Sequence, residues 1–232
     1  MKNDQTFTGK VFQKLLNSVA IILYRPGITW KNKALKKELK DKPVIFVSNH
    51  LGHIDGAFIG AVLGRYKPYM LVAKDWYDKK GIGKLIKLCR TIPIDRYGAD
   101  AVWYEQALEH IRNGSSVIIF PEGFTSKDGV IKEFKPGAAL LSAVTGAPIV
   151  PLAIYGDYKP LIGMRQRVMI GEKIESSCPE DMRHSLYAKK LIKEAESEVK
   201  KLRAELVEIY GSPFEAEITE EAEEKEQTPI TA

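Results

Sequence analysis

His50 and Asp55 are the residues best placed by type and spacing to do chemistry, a histidine and an aspartate within Ser48-Asn49-His50-Leu51-Gly52-His53-Ile54-Asp55. They follow the apolar run Pro43-Val44-Ile45-Phe46-Val47, a strand by composition. A neutral imidazole takes a proton from a hydroxyl near neutral pH when a carboxylate accepts a hydrogen bond from its other ring nitrogen. That contact fixes the tautomer and stabilises the imidazolium that forms. Two other readings stand beside this one. His50, His53 and Asp55 could ligate a metal, but zinc sites draw on more donors at recognisable spacing and no Cys or His cluster elsewhere supplies them, so no metal is expected. Asn49 or Asp55 could cap a helix over the apolar stretch Ala57 to Leu63, a role compatible with catalysis. Alone, a His and an Asp at this spacing are a weak motif.

A second segment repeats the layout: Val117-Ile118-Ile119-Phe120 runs into Pro121-Glu122-Gly123-Phe124-Thr125-Ser126, with Glu133-Phe134-Lys135-Pro136-Gly137 after it. Ile92-Pro93-Ile94-Asp95-Arg96 lies between the two, and Ala147-Pro148-Ile149-Val150-Pro151-Leu152 follows. As an ordered set over residues 43–155, these segments resemble the glycerolipid acyltransferase family that includes lysophosphatidate acyltransferase. The resemblance implies that His50 is the general base and Asp55 the carboxylate that orients it. It further implies that Arg96, Glu122 and Gly123 hold the acyl acceptor, often through its phosphate, and that Pro148 or Pro151 serves the acyl-donor side or shapes the site.

The chain departs from the family twice. Many members read Pro-Glu-Gly-Thr-Arg-Ser, whereas here Phe124-Thr125-Ser126 follows the Glu-Gly pair and the arginine is missing. Arg90 stands where many members have a glycine, and Lys135 is near in sequence, so both are candidates to bring positive charge to the acceptor. A lysine offers only a point charge where an arginine offers a planar fork, which bears on acceptor choice.

The chemistry implied needs no enzyme nucleophile and no resident cofactor: His50 deprotonates an acceptor hydroxyl, which attacks an acyl thioester of coenzyme A or acyl carrier protein. The expected reaction makes phosphatidate from lysophosphatidate. The alternatives are another lysophospholipid or lipid-like alcohol as acceptor, or a lipid-surface binding protein without turnover. There is no Gly-x-Ser-x-Gly elbow and no Walker loop, and Gly81-Ile82-Gly83 lacks the third glycine of a dinucleotide fingerprint.

Charge is divided unevenly along the chain. The formal net charge is +5, but the seven glutamates and one lysine from Glu215 onward contribute −6, leaving +11 on residues 1–214. A basic body suits an anionic membrane surface or an acidic carrier, and without any nucleic-acid motif no nucleic-acid partner is expected. Residues 11–24 carry apolar side chains at helical intervals beside Lys10, Lys14 and Arg25, yet the uninterrupted run Val19 to Tyr24 is far below the roughly 20 residues that span a bilayer. The segment reads as an interfacial helix at the cytoplasmic face of a membrane, peripheral or monotopic, or equally as an amphipathic helix on the protein's own core. Two cysteines without a framework fit a reducing compartment, and Cys89 reads as packing.

Length and 44% hydrophobic content allow one domain with a substantial core. The expected partition is a membrane-associating segment over 1–42, an acyltransferase domain over 43–214 and a disordered acidic tail over 215–232. Strands are expected near 43–48, 69–73, 92–95, 117–120, 148–154 and 167–171, and helices near 56–64, 81–89, 98–112 and 137–145. A long helix is expected over 185–210, burying a stripe from Ala188 to Ile209. The fold class is α/β: a mostly parallel twisted sheet flanked by helices, with an N-terminal amphipathic helix and a long C-terminal one. Loops at the carboxyl ends of parallel strands share one edge, so His50 and Glu122 should meet in one cleft.

Overall fold

The computed structural model describes residues 6–212 except 97, 99, 100, 127, 128, 158, 160 and 162; the expected acidic tail lies outside the described residues. Seven strands form one sheet: β1 Gly27–Trp30, β2 Ile45–Ser48, β3 Tyr69–Ala73, β4 Thr91–Ile94, β5 Val117–Ile119, β6 Ile149–Tyr155 and β7 Arg167–Ile170, in the order β1-β7-β6-β2-β5-β3-β4. Every neighbouring pair is parallel except β6 with β7. The helices are α1 Phe7–Tyr24, α2 Leu35–Glu38, α3 Asp55–Val62, α4 Lys74–Asp78, α5 Ile82–Leu88, α6 Val102–Arg112, α7 Gly137–Thr145 and α8 His184–Tyr210.

Why β2 reads as a continuous apolar run is visible in its surroundings. Ile45 and Val47 join the core beneath α7 and α8, while Phe46 joins the opposite core with Phe58 and Ile59 of α3. Side chains alternate faces along a strand, and both faces of this sheet are covered by helices, so Ile45, Phe46 and Val47 are all apolar and only Ser48 at the strand's end is polar. α8 buries Ala188, Leu191, Ile192, Ala195, Val199, Leu202 and Leu206 as expected, but Ile209 at the end of the stripe is exposed.

Two features differ from expectation. β1 pairs in register with β7, from Gly27 opposite Arg167 to Trp30 opposite Ile170. Leu35 of α2 and nearby Leu39 are buried in the core as well. A boundary at residue 42 therefore does not divide the chain, because the second half of the supposed N-terminal segment completes the sheet edge. A four-residue strand and a four-residue helix carry too few periods to announce themselves. α1 forms the expected helix, and its packing bears out the reading that places it on the protein's own core. It packs on α3 and α5, with Leu16 reaching the interior cavity, while Phe7, Val11, Leu15 and Ile22 stay exposed beside the exposed Lys10 and Lys14.

Candidate active site

β2 and β5 are hydrogen-bonded neighbours with Val47 opposite Ile119, so the loops that leave their carboxyl ends emerge side by side. The first carries His50. Its Nδ1 lies 2.7 Å from Oδ2 of Asp55. The same oxygen accepts the amides of Leu51 at 2.6 Å and Gly52 at 3.0 Å, and Asp55 is fully buried. With a carboxylate at Nδ1, that nitrogen carries the proton and Nε2 is left basic. The His50 ring stacks on Phe120 at 4.4 Å between centroids and 20° between planes, so it is held against rotation from a second side.

Asp55 is the first residue of α3 and not its cap: its side chain reaches back over the turn it closes. Asn49 caps nothing. Buried between strands, it donates to the carbonyl of Ile154 at 3.1 Å and accepts that residue's amide at 2.8 Å, fixing the start of the His50 loop to β6. Two polar residues, Ser48 and Asn49, directly after an apolar run were the available signal.

Glu122 does something other than what the family resemblance implied. Its Oε1 accepts the backbone amide of His50 at 2.8 Å and its Oε2 that of Lys132 at 2.9 Å. The carbonyl of His50 in turn accepts from the amide of Ser126 at 2.7 Å. The Pro121-Glu122-Gly123 loop thus clamps the main chain of the base from both sides, and the Glu122 carboxylate faces amides. Burial pushes its pKa up from the usual glutamate range, and the two amide bonds pull it back down in part.

His50 and His53 line a cavity of about 530 Å³. Its rim holds Arg96, Gly123, Thr125 and Lys135, and its interior is walled by Leu16, Met70, Leu71, Ile86, Cys89 and Trp103. Such a volume suits enclosure of a small ligand or an acyl chain (roughly 300–1,000 Å³ in pockets generally). Arg96 follows β4 at its carboxyl end, as β2 and β5 deliver His50 and Glu122. Cys89 has its thiol pushed up to about 11 by burial, so it stays protonated and serves as packing. The His53 ring tilts against Trp76 at 5.6 Å. Among the described residues no three His, Cys, Asp or Glu side chains form a group that could hold a metal ion.

Three expected site residues are not brought here. Arg90 sits before β4, at the end of that strand away from Arg96; its amide bonds the Gln13 side chain and its carbonyl accepts from Met70. Pro148 precedes β6 at the amino end of the sheet, its carbonyl accepting from Ile45. Pro151 lies within β6 opposite Val47 and is buried. None of the three lines the cavity. For Pro148 the physical reason is strand polarity, since residues before a parallel strand and after it end on opposite edges of the sheet; Pro151 is inside β6, and Arg90 stands between Cys89 and Thr91, which line the cavity, without lining it itself.

A family model described as Acyltransferase matches residues 28–155, more than half of the chain. The chain belongs to the acyltransferase family. The match begins within β1, in agreement with that strand's place in the sheet. This acyltransferase is 34% identical over 156 residues to a probable 1-acyl-sn-glycerol-3-phosphate acyltransferase of Mycoplasma genitalium, which covers 63% of the chain and 56% of the relative. It is 26% identical to the 1-acyl-sn-glycerol-3-phosphate acyltransferase of Bacillus subtilis, over 69% of the chain and 81% of the relative. The chain thus spans about half the length of the Mycoplasma relative. The crystal structure of the 1-acyl-sn-glycerophosphate (LPA) acyltransferase PlsC from Thermotoga maritima shares the fold, with a TM-score of 0.57 at 22% identity over 86% of this chain and 84% of that one.

Proposed function

We propose that this acyltransferase moves a fatty acyl group from an acyl thioester to the free hydroxyl of lysophosphatidate, giving phosphatidate. The observation that carries the proposal is the oriented His50–Asp55 pair at the mouth of an apolar cavity whose rim bears Arg96 and Lys135. Nε2 of His50 takes the hydroxyl proton as the oxygen attacks the thioester carbonyl. The tetrahedral intermediate collapses with cleavage of the carbon–sulfur bond, and the departing thiolate takes the proton back from the imidazolium. The apolar interior accommodates the acyl chain, and Arg96 and Lys135 meet the acceptor's phosphate. The names of the Mycoplasma and Bacillus relatives favour the same acceptor.

The enzyme works at the cytoplasmic face of a membrane, held there by α1. No described helix is long and apolar enough to cross a membrane. Phe7, Val11, Leu15 and Ile22 form an exposed apolar stripe flanked by Lys10 and Lys14, which suits shallow insertion among anionic headgroups. Because the opposite side of α1 packs on the domain, deletion would disturb the fold, and substitution is the cleaner probe. The double variant Leu15→Glu, Ile22→Glu is expected to sediment poorly with anionic vesicles at unchanged melting temperature, and to lose rate on long-chain lysolipid more than on a short-chain soluble analogue. Undiminished vesicle binding refutes the membrane role. For the reaction itself, purified protein is presented with labelled acyl-coenzyme A or acyl carrier protein and a panel of lysolipids. Product from lysophosphatidate in preference to headgroup-bearing lysophospholipids is expected, and the reverse preference overturns the acceptor.

A further inference from the structure

No role assigned above uses the ring of Phe124, yet two cations gather on it. Phe124 is 41% exposed, and its neighbours Gly123, Thr125 and Ser126 are small. The guanidinium carbon of Arg96 lies 5.7 Å from its ring centroid and the ammonium of Lys135 lies 5.3 Å away. Both cations also line the cavity that holds His50. Each is further constrained. Arg96 donates from Nη2 to Asp75 at 3.2 Å, and the Lys135 side chain crosses the Cα of Gly123, where an added Cβ would come within 2.9 Å of Nζ. Gly123 has φ of +78°, so glycine here serves both the left-handed turn and the passage of the lysine. Like charges repel when brought together, and the negative face of an aromatic ring offsets that repulsion.

We infer that Phe124 is a positioning residue for acceptor recognition: its ring sets Arg96 and Lys135 as a pair at the cavity rim, and the pair binds the phosphate monoester of the acceptor. The inference rests on the acceptor reading proposed above. Arg96 supplies a planar fork and Lys135 a point charge, which together match a group bearing about two negative charges. Thr125 contributes a hydroxyl at the same rim.

Steady-state kinetics of the full chain on lysophosphatidate with long-chain acyl-coenzyme A test this. Phe124→Leu is expected to raise the KM for lysophosphatidate about fivefold to tenfold, with kcat and donor KM nearly unchanged, and Phe124→Tyr to stay close to the parent. Lys135→Gln should raise the same KM by roughly tenfold, and the double variant should fall short of the product of the single effects because ring and lysine act together. Equal behaviour of the Leu and Tyr variants, or a loss in kcat without a change in KM, overturns the role of the ring. Arg96→Ala separates the two levels. If it raises the acceptor KM while Phe124→Leu and Lys135→Gln are silent, the phosphate reading stands and this inference falls; if Arg96→Ala is itself silent, the phosphate reading falls too. Melting curves check folding, and should Phe124→Leu unfold, Phe124→Ile serves in its place.

Discussion

His50→Ala is expected to lose acyl transfer by about 10²–10⁴-fold with the fold intact, since the lost function is proton transfer in the transition state. The fold survives because Asp55 keeps the amides of Leu51 and Gly52 when the imidazole is gone. Asp55→Asn should be as severe for a different reason. With its oxygen in the place of Oδ2 the neutral amide carries no charge to stabilise the imidazolium that forms; with its NH₂ there, it meets the amides of Leu51 and Gly52 as donor against donor and holds the imidazole in the wrong tautomer. In the second orientation the unmatched buried donors cost about 1–3 kcal/mol, so this variant should also melt lower. His53→Ala, which removes a ring contact with Trp76 and part of the cavity wall but no hydrogen bond to the His50–Asp55 pair, is expected to be mild. Turnover measured from labelled lipid product, alongside thermal melting, checks all three; near-parental turnover by His50→Ala removes the general base from the mechanism.

Glu122→Gln should lower kcat by roughly 10–100-fold, the scale expected when a reacting group is misplaced by about 1 Å, and should melt lower, since an unmatched buried donor costs about 1–3 kcal/mol. One oxygen of the glutamine still accepts an amide, but its NH₂ faces the other donor, so either the His50 loop or the Lys132 loop must shift. The direction of the pKa shift offsets part of that loss. A carboxyl whose folded value is raised binds its proton more tightly folded than unfolded. Its favourable contribution is full below the unfolded value and is lost as pH rises through the folded value. The result that sinks the clamp is a variant with parental kcat and a raised acceptor KM, which would return Glu122 to direct contact with substrate.

Much of the sheet was legible because buried parallel strands are short apolar runs bounded by turn residues. Pro43 to Val47 and Val117 to Phe120 announce β2 and β5 in this way. The long helix was legible from a stripe repeated over many turns, from Ala188 to Leu206. β1 was not: Gly27–Trp30 is extended because β7 lies beside it, and β7 is some 140 residues away. Glu122 was found but its amide partners were not legible, since the partners of a carboxylate depend on which amides the fold brings to it.

The sequence by itself determined the types of the reacting groups and the local turn that joins them. His50, Asp55 and the amides of Leu51 and Gly52 lie within six residues, and one turn suffices to bring them together. The tertiary structure decided everything that depends on strand polarity and neighbour order. It sent Arg96, Gly123 and Lys135 to the same edge as His50 and left Pro148 on the other. It also turned Glu122 inward to hold the base and set two cations on the ring of Phe124. Contacts within a turn follow from covalent geometry, whereas contacts between distant segments exist only once burial of the apolar strands has fixed which loops emerge together.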